Sequence, residues 1–263
     1  MSGTGAGQSP TPAPSVSAAS TDAVPSPSVA SFAFPSRTAQ LAMSEPVRFQ
    51  TGSAVLAGRL FGHGRTGIVL SHMGPQGNDQ TAWWPMAALL ARHGYVVLTY
   101  DYPGICPGGV AGCSSGRLNS DVTPDVDSAL EFLRSQGAEQ VVLGGASIGA
   151  MGSIDVASRR SDVAALVSVS GVEFAGPYDL DRGVLRHVTC PKLFVAGTFD
   201  REAADSARDW NRWAGPPKEA HILRTGLHGT DMLSASGDDA FVPGALVRLL
   251  LSFLRRHLPA RPS

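Results

Sequence analysis

Two short segments of the sequence have the pattern Gly-x-Ser-x-Gly, which in hydrolytic enzymes can expose a serine for nucleophilic attack on a carbonyl carbon. They span residues 112–116, around Ser114, and 145–149, around Ser147. The pattern is informative only between a strand and a helix, because the sharp turn joining the two exposes the hydroxyl. Ser147 follows the apolar run 141–143 and precedes a helical pattern, whereas Ser114 follows a Pro- and Gly-rich loop and opens no helix. We therefore predict Ser147 as the nucleophile; the alternative for it is a tight strand–helix turn of a nucleotide-binding fold.

A nucleophilic serine needs a base, and the base needs an acid that orients it. Downstream of Ser147, one predicted strand ends shortly before Asp200, and the next is followed by His228. Both side chains are expected at the sheet edge that carries Ser147, because the carboxyl ends of parallel strands share one edge. We predict Asp200 as the orienting acid and His228 as the base. Asp231 is the alternative acid, and His221, inside a strand pattern, is the weaker candidate for the base.

Acyl transfer also requires donors for the negative charge that develops on the carbonyl oxygen. The backbone N–H of Ile148, directly after the serine, is predicted to supply one donor. The second is expected from the loop 71–77, where either Gly74 or Met73 is suitably placed, and Gly74 is preferred. An ordinary glycine turn is the alternative for this loop. His72 is expected to brace it by hydrogen bonds and to take no part in the chemistry.

Two other patterns are not read as cofactor or metal sites. Residues 62–67 match the dinucleotide-binding pattern Gly-x-Gly-x-x-Gly but lead from one strand into another, whereas that fingerprint must open a helix. The three cysteines lack the spacing of a zinc site. Cys106 and Cys113 share a glycine-rich loop and can pair in an oxidising compartment, and two free thiols are the equally open alternative. No cofactor and no metal are predicted.

Short apolar runs alternate with helical patterns along most of the chain, which indicates a mostly parallel sheet covered by helices on both faces. An alternating segment from Glu45 to Leu60 with a turn at 51–53 predicts an antiparallel hairpin before it. Further strands are predicted at 67–71, 95–100, 140–143, 163–170, 192–196 and 220–223, and helices at 80–92, from Thr123 with Thr123 as its cap, 148–159, 202–213 and 243–257. The predicted fold class is α/β.

Composition limits the classes of partner. The formal net charge is −1 and there is no basic stripe, which argues against nucleic-acid binding. No apolar run approaches the roughly 20 residues that span a bilayer, so no transmembrane segment is predicted. The sequence gives no signal for oligomeric state.

Residues 1–42 are rich in Ser, Ala, Pro and Gly and poor in large apolar side chains, which predicts a disordered tail before a domain at 43–263. Its small-residue start is similar to the tether of a bacterial lipoprotein after signal removal, with Met1 in place of the lipid-bearing cysteine. We expect an extracytoplasmic location on this basis. A disordered tail on a cytoplasmic enzyme is the alternative.

Taken together, the motifs resemble those of the α/β-hydrolases, closest to dienelactone-hydrolase-like esterases. The resemblance covers about residues 46–258 and rests on His72 to Trp84, Asp101-Tyr-Pro-Gly104, Gly-Ala-Ser147-Ile-Gly, Gly-Thr-Phe-Asp200 and His228-Gly-Thr-Asp-Met-Leu. It implies a Ser147–Asp200–His228 triad and no cofactor. Serine replaces the cysteine nucleophile of true dienelactone hydrolases, which favours ordinary esters as substrates.

The implied activity is hydrolysis of small to medium carboxylic esters through an acyl-enzyme. A thioesterase or acyltransferase on the same triad, or a catalytically silent binding protein, are the alternatives. The connection 171–191, where lids of this fold usually enter, is too short for a cap domain. The mouth of the site is therefore expected to be open; Trp83, Trp84, Tyr178 and Phe199 either line it or belong to the core.

Overall fold

The computed structural model describes residues 1–3, 33–74, 78–106 and 112–259. By its contacts the chain divides into Met1–Ala30, of which residues 1–3 are described and exposed, and Ser31–Ser263, which carries the fold. The described part of this second unit contains an eight-stranded sheet in the order β1-β2-β4-β3-β5-β6-β9-β10. The strands, including the separate pair β7 and β8, are β1 Ser44–Thr51, β2 Ala54–Phe61, β3 Thr66–Ser71, β4 Val96–Tyr100, β5 Gln140–Ala146, β6 Ala165–Val169, β7 Phe174–Ala175, β8 Tyr178–Asp179, β9 Lys192–Gly197 and β10 Lys218–Leu223.

The central strands are parallel and the N-terminal hairpin is antiparallel. β1 pairs with β2 and β2 with β4 in antiparallel fashion, whereas β4, β3, β5, β6, β9 and β10 run parallel. Every residue of β3, β4, β6 and β9 is buried, as expected of Val- and Leu-rich strands covered on both faces. The predicted α/β fold with a leading hairpin is confirmed.

Helices cover both faces of this sheet. α3, α4, α5 and α6 contribute to one apolar cluster, and α2 and α7 contribute to the other. The α-helices are α1 Arg37–Ala42, α2 Trp84–Arg92, α3 Thr123–Ser135, α4 Ile148–Arg159, α5 Arg182–His187, α6 Arg201–Trp213 and α7 Val242–His257. Short 3₁₀ helices lie at Gln80–Trp83, Gly229–Leu233 and Gly237–Asp239.

Two local predictions were wrong. Thr123 is the first residue of α3 and not its cap, because its hydroxyl donates to Asp155 at 2.9 Å while Asp121 accepts the Thr123 N–H. Within the segment 1–42, residues 37–42 form α1, which packs on α2 with the Arg37 guanidinium 3.8 Å from the centre of the Trp84 ring. Residues 4–32 of that segment lie outside the described residues.

The connection after β6 holds only the pair β7–β8 and the short helix α5, so no large cap covers the sheet edge within the described ranges. Of the four aromatic residues considered for the mouth of the site, Trp83, Trp84 and Tyr178 are buried in the core, whereas Phe199 is 66% exposed. The Tyr178 hydroxyl accepts the Val122 N–H at 2.8 Å, which ties this connection to the start of α3.

Candidate active site

Ser147 lies in a strained turn between β5 and α4. Its backbone angles, φ 52° and ψ −120°, lie in a region that residues other than glycine rarely adopt. The Ser147 N–H donates to the Val169 carbonyl on β6 at 3.0 Å, and α4 begins at the next residue. A Cβ atom on Gly149 would lie 2.5 Å from the Ser71 carbonyl oxygen, and one on Gly145 would collide with the Gly149 backbone. Both glycines of the pattern are therefore required by close packing of backbone around a partly exposed serine.

Asp200 and His228 are in direct contact. The His228 Nδ1 atom lies 2.8 Å from Asp200 Oδ2, in the arrangement that fixes the ring and leaves Nε2 free to accept a proton. Asp200 follows β9 in a tight turn in which its N–H donates to the Gly197 carbonyl at 3.1 Å. His228 follows β10 and immediately precedes the 3₁₀ helix that begins at Gly229.

The loop of His228 packs against the turn of Ser147. A Cβ atom on Gly229 would lie 3.2 Å from the Ala146 Cβ atom and would collide with the Met73 side chain. The neighbours of both residues thus touch, although the described part of the chain shows no hydrogen bond between Ser147 and His228. Such bonds are often long in ligand-free sites and shorten when substrate binds.

The turn after β3 is held by a fully buried histidine. His72 Nε2 accepts the Tyr102 N–H at 3.4 Å, and His72 Nδ1 lies 2.6 Å from the Met73 carbonyl, to which it donates in the tautomer that both contacts require. The Tyr102 hydroxyl donates to the His72 carbonyl at 2.9 Å, and the two rings are 4.1 Å apart. Burial lowers the pKa of His72 to about 4, so its ring is neutral and serves as a brace.

This brace orients the peptide between Met73 and Gly74. Because the C=O and N–H of a trans peptide point in opposite directions, a Met73 carbonyl held by His72 directs the Gly74 N–H away from the buried ring. Gly74 is partly exposed, and a Cβ atom there would meet nothing within 4 Å. Met73 is buried, with its side chain against the Gly229 position.

The competing residues have other contacts. His221 Nε2 lies 3.0 Å from Glu219 Oε2 on the same strand, and the exposed Asp231 carries its carboxylate in the 3₁₀ helix after His228. Ser114 is buried and hydrogen-bonded on both sides of its hydroxyl.

Sequence reasoning missed two residues of this edge. Tyr102, which braces His72, lies two residues past β4, and Ser170, with φ 51°, directly follows β6. The position of Ser170 was available as a signal, because it ends the strand beside the one that leads to Ser147. Its backbone conformation was not, since nothing in the local sequence specifies a left-handed serine.

The remaining motifs have structural explanations. Residues 62–65 connect β2 to β3, and residues 66 and 67, which complete the glycine pattern, are the first two of β3. Cys106 and Cys113 form a disulfide, while Cys190 is free. Among the residues that the structure describes, no group of three His, Cys, Asp or Glu side chains is arranged to hold a metal ion. Over the same residues, no helix is long and apolar enough to cross a membrane.

Known proteins share this architecture. The model of the alpha/beta hydrolase family matches residues 60–262. The alpha/beta hydrolase domain-containing protein aho-3 of Caenorhabditis elegans is 35% identical over 121 residues, which are 40% of this chain and 34% of that protein, so the chain matches about a third of the length of this relative.

Solved structures agree in fold. The esterase Pf2001 of Pyrococcus furiosus superposes with a TM-score of 0.66 at 14% identity, covering 82% of this chain and 93% of that one. A dienelactone hydrolase from Anabaena variabilis gives 0.62 at 20% identity over 82% and 98% of the two chains, and an alpha-beta serine hydrolase homologue from Coxiella burnetii gives 0.61 at 20% over 81% and 96%. The family model matches well over half of the residues, and the order of the strands in the sheet agrees with that family. This chain therefore belongs to the alpha/beta hydrolase family.

Proposed function

We propose that the protein is a serine hydrolase that cleaves small to medium carboxylic esters through an acyl-enzyme intermediate. The observation that carries this proposal is the 2.8 Å contact between His228 Nδ1 and Asp200 Oδ2 beside the strained turn of Ser147. An imidazole oriented by a carboxylate beside a partly exposed serine is the arrangement used for nucleophilic acyl transfer.

The first half of the reaction forms an ester on the enzyme. His228 Nε2 accepts the Ser147 hydroxyl proton as Ser147 Oγ bonds to the carbonyl carbon, whose π electrons move to its oxygen. When this tetrahedral intermediate collapses, the bond to the alcohol oxygen breaks and that oxygen takes the proton from His228. In the second half, His228 accepts a proton from water as the water oxygen bonds to the acyl carbon. The bond to Ser147 Oγ then breaks, Ser147 takes the proton from His228, and the carboxylic acid is released.

The negative charge on the carbonyl oxygen requires donors on the same side of the site. The Ile148 N–H, at the first residue of the 12-residue helix α4, is one of them, and the helix N-terminus adds a favourable dipole. The Gly74 N–H is the second, because the brace by His72 directs it away from the core. Met73 is the less suitable donor, since Met73 is buried whereas Gly74 is partly exposed.

Substrate size is limited by how little apolar wall surrounds Ser147. The connection after β6 provides only two short strands and one short helix, and Phe199 is the one aromatic of the four considered that is exposed. Each buried methylene contributes up to about 0.8 kcal/mol only where such a wall exists. We therefore expect kcat/KM to be highest for acetyl to hexanoyl esters, without activation at a lipid–water interface.

The decisive experiment combines a covalent probe with two substrate series. A fluorophosphonate should label wild-type protein at Ser147 and fail to label Ser147→Ala, and p-nitrophenyl acetate should be hydrolysed faster than a matched acyl thioester. Labelling with a preference for the thioester would make the protein a thioesterase, and an unlabelled, folded wild type would make it a binding protein. A maximum at palmitoyl esters would contradict the proposed size limit.

We also propose an extracytoplasmic location, which the Cys106–Cys113 disulfide supports, because such bonds persist in oxidising compartments. Mass spectrometry of protein taken from intact cells tests this, since the native chain should be two hydrogens lighter than its reduced form. Two free thiols in the native protein would contradict it.

A further inference from the structure

Ser170 shares an unusual property with the proposed nucleophile. Among the described residues, Ser147 and Ser170 are the two non-glycine positions with positive φ, 52° and 51°. They are also neighbours in the sheet, because β5 and β6 pair with Ala146 opposite Val169, which places each serine at the next position. Strained backbone of this kind persists where the surrounding structure enforces it, and it is concentrated at functional sites.

The side chain of Ser170 adds a second cost. The residue is fully buried, its N–H donates to the Val195 carbonyl at 2.8 Å, and its hydroxyl has no hydrogen-bond partner among the described residues. A buried hydroxyl without a partner destabilises the folded state. Glycine at this position would remove both the strain and the unpaired hydroxyl, so stability does not account for a serine here.

A group that can accept a further hydrogen bond follows the adjoining strand β9. β6 pairs with β9 with Val169 opposite Val195, and the turn after β9 brings Asp200 back over the end of that strand through its hydrogen bond to Gly197. The Asp200 carboxylate is only 15% exposed, does not cap α6, and within the described residues is bonded by His228 alone. A carboxylate can accept several hydrogen bonds, so Asp200 retains acceptor capacity at the same sheet edge as an unpaired donor.

We propose that Ser170 is a positioning residue of the triad, whose hydroxyl donates to one ordered water that in turn donates to the Asp200 carboxylate and so holds Asp200 in line with His228. This role rests on the proposed function, because it acts on the acid of the proposed triad. Ser170 is buried and is assigned no contact with the substrate. Its contribution is to restrict the carboxylate to the orientation in which it supports the imidazolium.

Two substitutions separate the hydroxyl from the strained backbone. Ser170→Ala removes the hydroxyl and keeps the strain, and Ser170→Gly removes both. Thr66→Val is the matched control, because the Thr66 hydroxyl is also buried without a partner but lies at the first residue of β3, the opposite edge of the sheet. The measurements are kcat and KM for p-nitrophenyl butyrate, and the exchange with water of the His228 Nδ1 proton in the NMR spectrum.

Both Ser170 variants should lose about fivefold to tenfold in kcat at unchanged KM, the effect of one hydrogen bond, and the His228 Nδ1 proton should exchange faster than in wild type. Thr66→Val should keep both readouts, and Ser170→Gly should melt no lower than Ser170→Ala. Full kcat and unchanged exchange in Ser170→Ala, or recovery of wild-type values in Ser170→Gly, would overturn the role of the hydroxyl. The proton exchange needs no substrate, so it decides this inference even if wild-type protein hydrolyses no ester and the proposed function fails.

Discussion

The two Gly-x-Ser-x-Gly segments differ in structure although they share a pattern. Ser147 stands between β5 and α4, partly exposed, in a backbone conformation that strains it. Ser114 lies in the loop after β4 and is buried, with its hydroxyl accepting the Ala57 N–H at 2.8 Å and donating to the Asp101 carbonyl at 2.7 Å. The hydroxyl of Ser114 is therefore fully used in joining that loop to β2.

The glycines of the two segments also serve different purposes. Gly145 and Gly149 allow strand, helix and neighbouring loop to approach so closely that a Cβ atom would collide with backbone. Gly116 instead permits a positive φ of 87° where the loop passes Ala54. The pattern thus produces a strained, partly exposed serine only where a preceding strand and a following helix force the turn, and elsewhere it describes a loop.

The strongest test of this difference replaces each serine by alanine. Ser147→Ala should reduce ester hydrolysis by at least about 10³-fold, because the acyl-enzyme cannot form. Ser114→Ala should leave kcat/KM within a few-fold of wild type and lower the free energy of unfolding by about 1–3 kcal/mol, because the Ala57 N–H and the Asp101 carbonyl lose their partner. Steady-state kinetics and urea unfolding of both variants measure the two effects. An inactive but stable Ser114→Ala protein would reverse the assignment.

The next test concerns Asp200 and His228, the proposed acid and base, which lie near the Ser147 segment and not near the Ser114 segment. Asp200→Asn should reduce kcat by at least about 10²-fold, because the amide favours the wrong tautomer of His228. Asp231→Asn is the matched control, since Asp231 is exposed and close in sequence to His228, and kcat should stay within about threefold of wild type. Burst and steady-state kinetics with p-nitrophenyl acetate measure both. If Asp231→Asn were the more damaging change, the acid would be Asp231.

Much of this site followed from strand order. Because parallel strands place their carboxyl ends at one edge, the positions of Ser147, Asp200 and His228 relative to predicted strands were enough to bring their loops together. The conformation of Ser170 was not predictable in this way, because nothing in the local sequence specifies a positive φ for a serine. Residues 37–42 were predicted to be disordered from their composition, which carries no information on tertiary contacts. In the structure they form α1, and the Arg37 guanidinium stacks on Trp84.

The position of Thr123 in α3 shows the same limit of prediction from local sequence. Thr followed by Pro is typical of a helix start, but the Thr123 hydroxyl bonds to Asp155 on α4, so a tertiary contact prevailed over the local preference. Trp83 and Trp84 follow the same rule. Their position near the predicted mouth suggested a substrate wall, yet both pack against core residues from distant parts of the chain.

The brace beside Ser147 predicts a pH effect on stability. Burial lowers the pKa of His72 in the folded state to about 4, below the ordinary value of 6.5. Between pH 4 and pH 6.5 the unfolded chain therefore binds a proton at His72 that the folded chain does not bind. Stability from this group is therefore complete above pH 6.5 and is lost as the pH falls toward 4, by up to about 3 kcal/mol.

His72→Gln isolates this contribution. Burial raises the pKa of Asp101 and of Asp125 to about 6, which acts in the opposite direction, so the wild-type curve alone mixes several groups. The difference in unfolding free energy between wild type and His72→Gln, measured in urea at pH 7.5 and pH 5, removes the carboxylates from the comparison. That difference should shrink at the lower pH. A difference that is the same at both values would mean that His72 does not stay neutral in the folded protein.

The smallest expected effect on catalysis belongs to the disulfide next to Ser114. Cys106 and Cys113 are seven residues apart, and a bond that closes so short a loop stabilises the fold by about 2–3 kcal/mol, mainly by restricting the unfolded chain. Replacing both cysteines by serine should lower the melting temperature and leave kcat/KM for p-nitrophenyl acetate within about twofold, because the bond supports the loop of Ser114 and not the turn of Ser147. Cys190→Ser controls for the free, half-buried thiol and should behave as wild type with and without reductant. If removal of the disulfide instead cost tenfold in kcat at unchanged stability, the loop around Ser114 would be part of the active site, and the contrast between the two segments would fail.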